Sequence, residues 1–455
     1  MTVTCPPTYP PHFERSLWSL RRRTRSDPLA FLQDLAKAPG DVVPFSLAGR
    51  PAFLVKHPDL AEAVLVTGHH NFVKGYGLQR AARLLGSGLL TAEGERHRRR
   101  RAVVQPAFHR QQLERYGQIM VAHAVQVRDR WREKQTVDVT AEAGALTLAI
   151  VGRTLFGSDV ESLSVEVRRA LKVASDSVDP LISLLAPARR VRPQRERLIE
   201  VIDDLIARHQ AAGPGSPGSI AGENLLSLLL DSLEGGPGGP GGPGGSVEIT
   251  DQSRDDALTI LLAGHDTIAS ALVWTWVLLA RHPGVEARME EEVDAVLGGR
   301  SATAADVSAL VFTRQVMAES LRLCPPAWVV ARAAIEDCGL GGIPVPAGSI
   351  VLISPYLLHR DPRFFPNPSV FDPNRWLDDR QAGRPKMAYL PFGAGPRSCI
   401  GEGFAWMEGV LLLATFAERW RFRLAESGQS ILPHPKITLR PPPTVSMVLQ
   451  ERAPL

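Results

Sequence analysis

A chain of 455 residues with 44% hydrophobic and 22% charged residues has the composition of a folded globular protein, which excludes a disordered or fibrous one. The net charge is only +4, and the four cysteines (Cys5, Cys324, Cys338, Cys399) lack paired or Cys-x-x-Cys spacing, which excludes a disulfide framework and a cysteine-based zinc site. Length alone would allow two or three domains, but no shift of composition divides the chain, so residues 1–455 are read as one unit.

The first 25 residues carry Pro6, Pro7, Pro10 and Pro11, then Arg21, Arg22, Arg23 and Arg25. They are read as a flexible segment with no apolar stretch long enough for a signal peptide or membrane anchor, and the protein is expected to be cytoplasmic. Short strands are predicted at 42–47 and 52–56, and helices at 58–66 and 111–131. Between these helices Arg96, Arg98, Arg99, Arg100 and Arg101 form a dense basic run. It reads as a solvated helix face, because the aromatics that nucleic-acid binding would interleave are missing.

Helices dominate as far as Arg322. Residues 235–245 repeat Gly-Gly-Pro with no packable side chain and are read as an exposed internal loop rather than a linker between domains. A helix predicted over 251–282 and closed by Pro283 would be about 45 Å long, enough to cross a whole domain. Arg254, Asp255 and Asp256 in its first turns argue against a membrane span. Its middle reads Ala263-Gly264-His265-Asp266-Thr267, where a glycine, an acid and an alcohol interrupt a buried apolar pattern. After residue 330 the pattern turns to strands, with a hairpin-like stretch at 339–346, a β-branched run at 350–354 and a small sheet over 437–448. The fold class read from this order is mainly α with small β-sheets.

The chemistry concentrates in Phe392-Gly-Ala-Gly-Pro-Arg-Ser-Cys-Ile-Gly401. Gly393, Gly395 and Gly401 allow a tight turn around Cys399, and Pro396 stiffens it. A helix predicted over 403–416 would aim its positive end at the sulfur and keep it ionised. Arg397 could bind a carboxylate of the same ligand. Glu-x-x-Arg pairs occur at Glu93/Arg96, Glu166/Arg169, Glu319/Arg322 and Glu418/Arg421, each spaced to lie on one helix face.

The spacing Phe-x-x-Gly-x-Arg-x-Cys-x-Gly resembles the haem-binding signature of the cytochrome P450 family, the haem-thiolate monooxygenases. The other motifs follow in that family's order. Ala263 to Thr267 resembles its oxygen-activation segment, Glu319 and Arg322 its Glu-x-x-Arg pair, and Pro373-Asn374-Arg375-Trp376 the partner segment of that pair. His97 and Arg101 stand where the family usually has Trp-x-x-x-Arg, so the histidine preserves a hydrogen-bond donor.

The resemblance implies the triangular, mainly helical cytochrome P450 fold and haem b held through its iron by Cys399. Phe392 and Gly401 would border that haem, and His97, Arg101, Arg332 and Arg397 would bind its propionates. Ala263 and Gly264 would leave room for the haem face and dioxygen, with Asp266 and Thr267 relaying protons. Glu319, Arg322 and Arg375 would form a buried charge network behind the cysteine loop. Substrate-pocket candidates are Phe72, Leu262, Ala263, Ala327, Trp328, Val329 and Thr444, a mainly apolar set suited to a terpenoid, carotenoid, steroid-like molecule or fatty acid. Only about fifty residues follow Cys399, too few for a reductase domain. Electrons are therefore expected ultimately from NAD(P)H through a separate ferredoxin or flavodoxin and its reductase, steered by the arginine run and Arg110. A monomer with no nucleic-acid partner is expected. A peroxide-dependent haem-thiolate enzyme, an isomerase and a haem-based sensor or carrier are the alternatives, the first two having no need of the acid–alcohol pair.

Overall fold

A computed structural model describes residues 27–47, 49–157, 188–212, 224–234, 250–426 and 428–453. The expectations for the N-terminal 25 residues, for the Gly-Gly-Pro repeat and for Glu166/Arg169 lie outside the described residues.

The long helix, Asp251–Arg281, organises the structure. The Thr250 hydroxyl caps it by accepting from the Ser253 amide, Asp251 sits at its positive end, and Arg281 lies in its last turn. Pro283 opens the next helix at its first position, where a missing N–H is no loss. By length and composition this helix could cross a membrane, yet 67% of its most apolar window is buried inside the protein. Around it pack the helices Val139–Leu155, Val311–Leu323 and Glu402–Ala417. Trp276 stacks on Phe422 with centroids 4.6 Å apart, one of a group of aromatic contacts that includes Trp131 and Phe416.

The strands gather into small sheets. In chain order they are β1 (Val42–Leu47), β2 (Arg50–Val55), β3 (Phe72–Lys74), β4 (Thr136–Asp138), β5 (Val330–Ala334), β6 (Cys338–Leu340), β7 (Ile343–Val345) and β8 (Ile350–Ile353). The last four are β9 (Trp420–Leu424), β10 (His434–Pro435), β11 (Leu439–Arg440) and β12 (Ser446–Glu451). The main sheet runs β1-β2-β8-β5-β3, and pairing of β3 with β5 sets Lys74 opposite Arg332. The expected hairpin at 339–346 is the β6–β7 pair. The expected sheet over 437–448 divides, because β11 pairs with β10 while β12 joins β4 and β9.

The helix expected over 58–66 is α-helical only over Pro58–Glu62 and continues as a π-turn, Ala63–Thr67. The Gly68 amide reaches back 2.8 Å to the Ala63 carbonyl, and a side chain at Gly68 would stand 2.6 Å from that same oxygen. Glycine makes the wide turn possible.

Candidate functional site

The cysteine loop is shaped by two glycines. Gly393 and Gly395 both have φ of +68°, and a Cβ on Gly395 would lie 2.1 Å from the Leu65 carbonyl oxygen. No other residue fits there. Gly401 differs from expectation, since its φ of −90° is open to any residue. A Cβ there would make ordinary van der Waals contact with the Phe108 ring at 3.6 Å and the Cys399 sulfur at 4.0 Å, so neither backbone nor these neighbours require glycine.

The Cys399 amide donates to the Phe392 carbonyl at 2.8 Å, and the Phe392 ring lies edge-on to Trp406. Protein encloses Cys399 on nearly every side, yet its side chain is solvent-accessible, so it opens on an interior cleft. Burial pushes the thiol pKa up and Glu402 adds to the rise, against the Gly401 amide and Arg101. The helix expected over 403–416 runs Glu402–Ala417, so its N-terminal turn follows the cysteine loop directly. Coordination to a bound metal ion would favour the thiolate against this burial.

Basic side chains crowd one edge of this cleft. Arg101 donates to the Ser398 carbonyl at 2.8 Å. Arg397 donates to the Ala92 carbonyl at 2.6 Å and pairs with Glu93. Arg332 donates to the Ala331 carbonyl and meets no carboxylate within ion-pair distance among the described residues. Burial, then the charge of Arg397, lowers its pKa to about 10. His97 is buried and is driven to about 3, first by burial and then by Arg397, Lys74 and Arg101. It is a neutral donor at any ordinary pH.

Lys74, unmarked in the sequence, belongs to the same group. Its ammonium donates to the carbonyls of Leu89, Leu90 and Ala92, and burial followed by Arg397 lowers its pKa to about 7. Its backbone amide donates to Glu93 at 2.7 Å, so Glu93 serves Lys74 and Arg397 and not the Arg96 that its spacing suggested.

Behind the loop, Glu319 is wholly buried. It accepts from Arg322 at 2.8 Å on each oxygen, from Arg375 at 3.1 Å, from the Asp372 amide at 3.0 Å and from the Trp376 indole at 3.2 Å. Arg322 also holds the carbonyls of His359, Pro368 and Val370. The His359 ring in turn accepts from the Leu390 amide, two residues before Phe392. The network is thus tied to the cysteine loop. The look-alike pair Glu418/Arg421 separates, Glu418 turning to Arg128 and Arg421 to Glu290.

On the long helix, Ala263 is exposed between the half-buried Leu262 and Gly264. A Cβ at Gly264 would stand 3.2 Å from a Val151 methyl. Its lack of a side chain serves contact with the helix Val139–Leu155. The Thr267 hydroxyl donates to the Ala263 carbonyl at 2.9 Å. Asp266 pairs with Arg440 at 2.7 Å and accepts from Thr438 at 2.7 Å.

An exposed cysteine sulfur, an excess of basic side chains at one edge and a small exposed residue on a crossing helix fit an iron porphyrin carrying two carboxylates. Comparison with known proteins agrees. The sequence profile of the family described as Cytochrome P450 matches residues 6–448. This chain belongs to the cytochrome P450 family. Cyclooctatin synthase of Streptomyces melanosporofaciens is 40% identical over 90% of this chain and 89% of its own length. Cyclooctat-9-en-7-ol 5-monooxygenase of the same organism is 37% identical, over 87% and 85%. Pentalenene oxygenase of Streptomyces avermitilis is 33% identical, over 96% and 95%. The crystal structure of CYP175A1 from Thermus thermophillus superposes with a TM-score of 0.74 at 27% identity, covering 96% of this chain and 99% of that one. The protein is a cytochrome P450 monooxygenase, with the haem and oxygen use of that family.

The expected pocket residues lie in different surroundings in this cytochrome P450. Trp328 is 1% exposed and its indole donates to the Lys436 carbonyl at 2.9 Å, so it is a core anchor with its polar end satisfied. Phe72 packs on the cluster beneath the main sheet, with Val42, Phe53 and Val351, because β3 directs it there. Val329 packs, partly buried, on the Trp328 cluster. Leu262 is partly exposed, while Ala327 and Thr444 are exposed. Nor does the arginine run present one face. Arg100 pairs with buried Asp256, Arg101 points inward to Ser398, and Arg98 and Arg99 share Glu95. Arg96, Arg98, Arg99 and Arg110 are the exposed members.

Proposed function

We propose that this enzyme hydroxylates or epoxidises a terpenoid, with electrons delivered by a separate ferredoxin or flavodoxin. The observation that carries the substrate class is the set of relatives, whose names record oxidation of cyclooctat-9-en-7-ol and of pentalenene at identities of 37% and 33% over most of both chains. The apolar character of Leu262, Ala263 and Ala327 supports the same reading.

Cys399 would hold the iron, and His97, Arg101, Arg332 and Arg397 the haem carboxylates, which four nearby donors at high local positive potential favour. Haem bound through a thiolate supplies the oxygen activation, the thiolate's electron donation favouring O–O cleavage. The protein supplies orientation and protons. Asp266, still about one-fifth exposed, has access to solvent, and Thr267 one position along the helix would carry its proton inward. The exposed arginines Arg96, Arg98, Arg99 and Arg110 would steer an acidic electron donor.

The test uses the haem-loaded protein with a ferredoxin, its reductase and NADPH, offered cyclic terpene hydrocarbons and alcohols beside carotenoids, steroids and fatty acids under labelled dioxygen. Incorporation of one labelled oxygen into a terpene is expected. Turnover confined to steroids or fatty acids would overturn the substrate class. Turnover with hydrogen peroxide but none with NADPH would favour the peroxide-dependent alternative.

A further inference from the structure

Asp266 is held from outside its own helix. Arg440 Nη2 lies 2.7 Å from Oδ1, Arg440 Nε donates to Oδ2 at 3.1 Å, and the Thr438 hydroxyl donates to Oδ2 at 2.7 Å. Arg440 Nε also reaches the Thr438 hydroxyl at 3.3 Å, so the two donors brace each other. A carboxylate has about four lone-pair directions, and three contacts leave little freedom.

The donors are themselves fixed. Arg440 lies on β11, paired with β10 so that it stands opposite His434. The Leu439 amide donates to the Pro326 carbonyl at 2.9 Å, the Trp328 indole to the Lys436 carbonyl, and the Trp274 indole of the long helix to the Leu439 carbonyl at 3.4 Å. The hairpin is therefore bolted both to the helix that carries Asp266 and to the segment 326–328. That arrangement also explains why Trp328 is core rather than pocket wall.

We propose that Arg440 and Thr438 are positioning residues for proton delivery, fixing the Asp266 carboxylate where it takes protons from solvent and setting its release toward Thr267. This rests on the reading of Asp266 and Thr267 as the relay. A guanidinium fork fixes both distance and plane, which a point charge cannot do, so Arg440→Lys should restore only part of what Arg440→Gln removes. Thr438→Val removes one hydroxyl and keeps the shape.

The experiment measures product per NADPH, hydrogen peroxide released and the solvent isotope effect on turnover. It compares the haem-loaded wild type with the Arg440→Gln, Arg440→Lys, Thr438→Val and Asp266→Asn variants, with melting temperature and the reduced carbon monoxide spectrum as structural controls. Arg440→Gln should lower product per NADPH on the order of tenfold, by analogy with the loss of a positioned general acid. It should also raise peroxide and change the isotope effect, with Arg440→Lys intermediate and the carbon monoxide spectrum unchanged. If Asp266→Asn alters coupling and isotope effect while Arg440→Gln and Thr438→Val leave both at the wild-type value, the inference is overturned and the relay stands. If Asp266→Asn changes neither, the relay reading fails and takes this inference with it. Should Arg440→Gln fail to retain haem, Thr438→Val decides on the same readouts.

Discussion

Replacing Glu319 with alanine removes the acceptor of five hydrogen bonds and leaves Arg322 and Arg375 charged in the interior, the one fully buried and the other nearly so. Neither guanidinium can swing out to water, because Arg322 is also bound to three carbonyls and Arg375 to those of Pro366 and Asn367. Breaking a buried pair in this way costs about 3 to 5 kcal/mol. Unfolding entropy near 2 cal/mol/K per residue gives roughly 1 kcal/mol/K for this length, so the melting temperature should fall by about 3 to 5 °C. Calorimetry on wild type and variant at matched haem content measures it, and Glu95→Ala, which breaks only exposed pairs with Arg98 and Arg99, should melt with the wild type. Replacing Glu319, Arg322 and Arg375 together by apolar residues should recover much of the loss, since the cost lies in stranded charge. A Glu319→Ala protein that melts with the wild type would refute the reasoning.

Gly395→Ala should abolish stable haem retention, because its Cβ would press on the Leu65 carbonyl at a backbone angle alanine avoids; an unchanged carbon monoxide spectrum would contradict this. Lys74 has a folded pKa of about 7 against an ordinary value of 10.5, so between these the unfolded chain binds the extra proton and the haem-free protein gains stability as pH rises. Lys74→Met should flatten that rise in urea midpoints taken from pH 7 to 10, and an unaltered slope would count against it. Reduction by an acidic ferredoxin should slow steeply as salt shortens the screening length, to about 10 Å at 0.1 M, and Arg99→Glu or Arg110→Glu should weaken that dependence. A flat salt profile in the wild type would remove the steering role.

What the sequence made legible follows from how local each cause is. The long helix was readable within a residue because its start, its Pro283 stop and its apolar run all lie in the segment itself. The cysteine loop was readable because positive backbone angles demand glycine at Gly393 and Gly395. Lys74 and Glu93 were not, since one is placed by pairing of β3 with β5 and the other by a contact with Arg397 more than three hundred residues away. Trp328 was misplaced for a similar reason. An aromatic in a motif-bearing stretch reads equally as wall or anchor until the carbonyl of Lys436 is seen to receive its indole. At Gly264 a mid-helix glycine does not reveal which protein neighbour it admits, and that neighbour is Val151.

The depressed pKa values at the cofactor edge are one fact seen three times. Lys74 at about 7, His97 at about 3 and Arg332 at about 10 are each lowered first by burial and next by the charge of Arg397. Among the described residues four basic side chains, Lys74, Arg101, Arg332 and Arg397, gather near one carboxylate, Glu93, an imbalance that a folded interior sustains only at a cost in stability. A ligand bearing two carboxylates would relieve all of these groups together, so its binding and the stability of this region should be tightly linked. On this reading selectivity for a dianionic ring comes from the surplus of charge as much as from any one hydrogen bond. Glu93 sets the size of that surplus by engaging Arg397, the residue that perturbs the others most.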